Sequence, residues 1–183
     1  MNYYGAKELA AAFRSVRENT IQIAEDVPET HYDFKAAPDT RSVAQTLVHI
    51  GLATTFPHHV HSNSIADMSD VKFPELFAQV GAREATLRSK PEIVAFLKSE
   101  GEKFATFLET LSELFLAERV TLLPGWGPSS KTRFELLWFA KEHEIHHRAQ
   151  LMVMERMLGI VPHLTRQLQE RLARLPEVSQ PVT

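Results

Sequence analysis

The 183-residue chain contains no cysteine. That absence removes disulfides, thiolate metal sites and a cysteine nucleophile together, and with them any argument for an oxidising compartment. A bound metal would have to rest on nitrogen and oxygen. Long apolar runs are missing as well. Nothing approaches the roughly 18 consecutive apolar residues of a membrane span, and Glu8 interrupts MNYYGAKELAAAF where a signal peptide needs an unbroken apolar core. Charge of one sign is also scarce, with 20 Lys and Arg against 23 Asp and Glu and a formal net charge of -3. No broad basic face for nucleic acid follows, and the cluster Arg166, Arg171 and Arg174 reads as a solvated helix face. The expectation is a soluble cytoplasmic protein with neither nucleic acid nor membrane as a partner.

What the sequence has in abundance is helical period. The length suits one domain, burying roughly 70% of the surface exposed when unfolded. We place that domain at 1–175 and a frayed tail, PEVSQPVT, at 176–183. Leu9, Ala12, Phe13, Val16, Thr20, Ile21 and Ile23 recur at steps of three and four from Ala6 to Asp26, and Pro28 stops the run. Asp39 and Thr40 are capping candidates for a second helix carrying Val43, Ala44, Leu47, Val48, Ile50 and Leu52, which Pro57 ends or kinks. The stretch from His58 to Pro74 is polar and broken, which predicts a long crossover loop, followed by a modest helix from Glu75 to Arg88.

Pro91 fits the first turn of a third long helix, whose apolar residues from Ile93 to Phe115 carry it to about Leu116. Residues 119–131 hold two glycines and two prolines around Trp126, and predict a structured loop with a short strand over 120–123. Ser129 or Ser130 then caps a fourth long helix running to Leu158, closed by Gly159, before a short amphipathic segment from Leu164 to Leu175. The pattern is an all-α four-helix bundle with a long crossover connection and short extra helices. Bundles build cofactor sites from side chains that point into the shared core.

One stretch concentrates the chemistry. AKEHEIHHRAQ, residues 140–150, contains His143, Glu144 and His147 at the spacing H-E-x-x-H. Residues four apart differ by about 40° of rotation and about 6 Å of rise, so His143 and His147 present two imidazoles on one face. Ala140, Gln150, Leu151 and Met154 share or border that face, so the pair points toward the core, where an unpartnered imidazole is expensive. A carboxylate or carbonyl from a neighbouring helix would satisfy the pair, and so would a metal with a third ligand. His49 is the candidate for that ligand, mid-helix in SVAQTLVHIGLA. Three neutral imidazoles leave a fourth position open, as in a catalytic rather than a structural zinc site.

A peptidase reading fares poorly, because RAQLMVMERMLG lacks the H-x-x-G-x-x-H continuation and no clear edge strand is available to align a peptide. His58, His59 and His61 fall in the expected loop, and His31 and His163 in links.

RSVAQTLVHI at 41–50, HEIHHRAQL at 143–151 and GIVP at 159–162, in that order, resemble the DinB family of four-helix-bundle proteins, also described as DinB/YfiT-like metalloenzymes. The resemblance implies ligand roles for His49, His143 and His147. Ala149 stands where the family's second motif commonly has glycine, a change that leaves the ligands alone. It also implies a divalent metal ion, zinc, nickel or iron, and a small-molecule substrate, among similar proteins a low-molecular-weight thiol used in S-transferase chemistry.

Water activation would instead give a hydrolase with Glu144 as general base, and a metal-binding protein without turnover is the third reading. Arg148 and Gln150 are candidates for substrate orientation or support of the ligands, and Trp126 for a pocket wall. A homodimer through a helix face is expected.

Overall fold

The structure is a computed structural model that describes residues 4–84, 86 and 89–175. In chain order its elements are α1 (Ala6–Asp26), α2 (Val43–Leu52), α3 (Thr55–Ser62), α4 (Phe73–Glu84), α5 (Lys90–Glu109), α6 (Glu113–Ala117), β1 (Arg119–Thr121), β2 (Ser130–Thr132), α7 (Arg133–Met157) and α8 (His163–Ala173). Single 3-10 turns lie at Glu29–His31 and Met68–Asp70. The bundle is formed by α1, α2, α5 and α7, with α1 and α2 each packed on both α5 and α7. The fold is the all-α four-helix bundle expected from the periodicity.

The apolar core is split along the bundle. At one end Leu9, Phe13, Phe104, Leu108, Leu137 and Ala140 pack together from α1, α5 and α7. At the other end Ile23, Leu47, Ile50, Ile93, Leu97, Leu151 and Met154 do so, now with α2 included. Between the two clusters the buried residues turn polar: Arg17 on α1, and Glu144 and His147 on α7. A third, lateral cluster of Val60, Met68, Val71, Leu76, Val120 and Leu122 fills the space under the crossover and the hairpin.

Several boundaries differ from the sequence reading. Ser42, not Asp39 or Thr40, caps α2, accepting from the Gln45 backbone N–H while the Gln45 side chain accepts from the Ser42 N–H. Thr40 folds back on Ala37 instead. Pro57 does not end α2, which stops at Leu52; it lies in the first turn of α3, where its missing N–H costs nothing. The expected crossover loop is therefore helical over His58 to Ser62, and the expected helix from Glu75 is α4, beginning at Phe73.

The third long helix breaks at Glu109, because Ser112 caps the separate helix α6. Thr132 caps α7, while Ser130 pairs with Thr121 in the two-stranded hairpin. Gly159 ends α7 with φ +78°, the left-handed conformation that glycine takes at low cost. No described helix is long and apolar enough to cross a membrane. The tail expected to fray, 176–183, lies outside the described residues.

Candidate metal centre

Buried residues on α7 follow Leu137, Ala140, Glu144, His147, Leu151 and Met154, steps of three and four that hold one stripe against the bundle. His143 flanks this stripe, half-buried, and His49 faces both histidines from α2. The ring centroids stand 5.0 Å apart for His49 and His143, and 4.6 Å apart for His49 and His147 and for His143 and His147. Nε2 of His49 is 3.2 Å from Nε2 of His143. The three residues offer one nitrogen each, all within 4.8 Å of one another. Sequence spacing thus brought together three residues that the fold also brings together.

Electrostatics prepares the cluster for ligation. Burial is the largest influence pushing His49 down to about 4, followed by the positive charge of Arg41. Burial likewise pushes His143 down to about 4, with His147 as the next cause. Burial lowers His147 too, opposed by its hydrogen bond to Gln150. All three rings are therefore neutral near pH 7, the ligating form.

His147 donates its Nδ1–H to Oε1 of Gln150 at 2.9 Å, which leaves the Nε2 lone pair free. The Gln150 amide nitrogen in turn donates to Nε2 of His146 at 3.2 Å. His143 Nδ1 is buried without a hydrogen-bond partner among the described residues.

These residues fit a divalent ion. Nitrogens at about 2.0–2.1 Å from a tetrahedral metal lie about 3.3 Å apart, close to the observed edge between His49 and His143. The donor set is imidazole alone, which suits zinc, nickel or iron better than magnesium or calcium.

Glu144, the general base expected for water activation, is already engaged. It is 2% exposed and bound through both oxygens by Arg17, from Nε at 2.9 Å and from Nη2 at 3.0 Å. Arg148 is half-buried near the Glu144 charge, and burial lowers its pKa. Trp126 is 51% exposed in the loop between β1 and β2, its ring edge-on to Phe73 at 5.2 Å.

Two histidines assigned to loops and links are buried instead. His61 sits at the end of α3 beside the Arg133 guanidinium, and His163 begins α8 with Nε2 2.9 Å from Oδ1 of Asn19. Arg17 and Arg41 were not singled out by the sequence. The available signal for Arg17 was a charge within the α1 stripe Phe13, Arg17, Thr20, Ala24.

The profile of the DinB family matches residues 1–177. The chain belongs to the DinB family. This DinB protein is 29% identical over 154 residues to the uncharacterized protein YjoA of Bacillus subtilis (strain 168), spanning 84% of this chain and 91% of YjoA. Its fold is similar to the crystal structure of YjoA, with a TM-score of 0.63 and 24% identity over 96% of this chain and 99% of that one. It is similar in the same way to YfiT of Bacillus subtilis, with a TM-score of 0.65 and 13% identity over 87% and 91% of the two chains. YfiT is described as a probable metal-dependent hydrolase with an unusual four-helix bundle topology.

Proposed function

We propose that this DinB protein is a metal-dependent enzyme of small-molecule metabolism, holding a divalent ion on His49, His143 and His147 and using it for thiol-dependent S-transferase-like chemistry. The observation that carries the reading is the convergence of three neutral imidazoles, with Nε2 of His49 and Nε2 of His143 3.2 Å apart, the three nitrogens within 4.8 Å of one another and no carboxylate in the group. A divalent ion there would supply a Lewis acid with an open position, at which a thiol loses its proton readily.

The residues of the chain support this division of labour. Gln150 holds the His147 ring by its Nδ1–H and keeps the opposite nitrogen aimed at the cluster. Glu144 has both oxygens engaged by Arg17, so it is poorly placed to take a proton from an incoming water. A thiol ordinarily loses its proton near pH 8.5 and needs far less help than water at about 15.7. A site whose buried carboxylate is already engaged by Arg17 therefore suits a thiol better. Arg41 is exposed, and its positive charge bears on all three imidazoles, an arrangement suited to an anionic thiol substrate.

A hydrolase is the second reading, favoured by the description of YfiT and weakened by the engagement of Glu144. The test begins with metal analysis of protein purified without an affinity tag and reconstituted with zinc, nickel or iron. Near-stoichiometric metal that is lost in His147→Ala is expected, and less than about a tenth of an equivalent overturns the reading. A panel of reduced thiols and electrophiles then separates the chemistries. Thiol consumption supports the transferase, whereas ester or amide cleavage abolished by Glu144→Gln supports the hydrolase.

A further inference from the structure

The guanidinium of Arg17 touches all the helices of the bundle at the level of the histidines. From α1 it binds both oxygens of Glu144 on α7, at 2.9 and 3.0 Å. Its Nη1 donates to the Leu97 carbonyl of α5 at 3.0 Å, and its Nη2 also donates to the Ile50 carbonyl of α2 at 3.3 Å. Two of these partners are direct chain neighbours of the clustered histidines: Ile50 follows His49, and Glu144 follows His143. Ile50 also supplies one of the last carbonyls of α2, where a cation is favoured by the helix dipole.

The route of the side chain is cleared for it. A Cβ on Gly101 would lie 2.7 Å from Cγ and 3.2 Å from Nη1 of Arg17, so glycine in mid-α5 is what lets the arginine reach the Leu97 carbonyl. Glycine costs a helix interior about 0.5–1 kcal/mol relative to alanine. The ion pair is also a poor stabiliser. Both partners are almost fully buried, and desolvation of such a pair offsets much of its attraction, so an apolar pair of similar volume often does as well. Two unfavourable choices therefore converge on one contact, and what that contact provides is geometry. A planar fork with fixed donors ties the His49 helix to the His143 and His147 helix at one register.

We propose that Arg17 is a positioning residue that sets α2 against α7 and thereby fixes His49 relative to His143 and His147. As a statement about the metal centre it rests on the proposed function, but as a statement about imidazole placement it stands in the metal-free protein. The hydrogen bonds of Arg17 go to Glu144 and to the Leu97 and Ile50 carbonyls, so it acts on the rings through Glu144 and the Ile50 carbonyl.

Two variants test it. Arg17→Met with Glu144→Leu removes both charges together, so that no unpaired charge is left in the core. Gly101→Ala keeps both charges and crowds the arginine stem, so any change it causes reports geometry and not charge. In the metal-free protein the readout is the set of ring-to-ring NOEs among His49, His143 and His147. In the reconstituted protein it is zinc affinity by competition, with thermal melting as the control for folding.

Expected are weakened His49 to His143 NOEs in both variants and a loss of zinc affinity of about tenfold or more, with melting close to wild type. Unchanged NOEs together with zinc affinity within about twofold of wild type in a folded variant would overturn the proposal. Should wild-type protein bind no zinc, the metal reading falls, while the NOEs still decide the positioning role. Should the double variant fail to fold, Gly101→Ala, which raises helix propensity, decides it alone.

Discussion

His147 and Gln150, three residues apart on α7, form a 2.9 Å hydrogen bond in which the imidazole Nδ1–H is the donor and the amide oxygen the acceptor. This bond selects the tautomer of His147 that leaves Nε2 unprotonated toward His49 and His143. Gln150 is exposed, so removing it disturbs little packing. Gln150→Leu is expected to lower metal affinity about 10- to 100-fold with a nearly unchanged melting temperature. Gln150→Glu, which retains an acceptor, should recover most of the loss. Competition titration with a zinc chelator measures both, and equal affinity in the leucine variant would remove Gln150 from the site.

Ser42 governs the start of the helix that carries His49. Its hydroxyl accepts from the Gln45 N–H, and the Gln45 side chain closes the reciprocal bond. Ser42→Ala is expected to cost about 1 kcal/mol in urea unfolding. Asp39→Ala, at the position the sequence also offered as a cap, should be close to neutral, since Asp39 makes no cap in the structure.

How much of this was legible depends on the range of the interaction. The long helices follow from apolar spacing, and His49, His143 and His147 follow from an i,i+4 pair plus one histidine in a helical apolar run. Their meeting needed only the bundle. Glu144 could not be oriented the same way, because Glu144 and His143 both border the core line, and what turns Glu144 inward is Arg17, 127 residues away in sequence. A buried charge is intelligible only with its partner. The misplaced loop had a local cause: Pro57 stops a helix in its interior but is harmless in a first turn, and the sequence alone did not say which turn it occupied.

Arg133 is a second buried arginine with a different task. It is 1% exposed, donates to the Ser64 and Ile65 carbonyls at 3.2 and 3.0 Å, binds Glu118 at 2.9 Å and lies over the Phe115 ring. These bonds fasten the turn that follows α3, including Ser64 in its left-handed conformation at φ 52°, to the start of α7. Glu118 is partly solvated and survives the loss of its partner, but two part-buried carbonyls do not. Arg133→Met should cost about 2–4 kcal/mol and selectively speed amide exchange over 60–65. Uniform exchange acceleration across the bundle would instead mark Arg133 as a global core residue.

Glu155 gives the fold a pH dependence of predictable sign. It is 0% exposed on α7, and neither carboxylate oxygen has a hydrogen-bond partner among the described residues. Burial, reinforced by Asp26 and opposed by Arg166 and Arg156, pushes its pKa up to about 7 from an ordinary value of 4.5. Between those values the folded protein keeps a proton that the unfolded chain has released. Stability from this group is thus fully present below about pH 4.5 and is lost as pH rises through about 7.

His61 runs in the opposite direction. Burial, with the adjacent Arg133 charge, lowers it to about 3, so stability falls as the solution is acidified below about 6.5. Comparing Glu155→Gln with wild type at each pH cancels that contribution. The glutamine variant should match wild type near pH 4.5 and exceed it by about 2–3 kcal/mol near pH 8, read from urea titrations at both. A difference between the two proteins that stays flat across this range would show that Glu155 is solvated or paired in solution and does not titrate with folding.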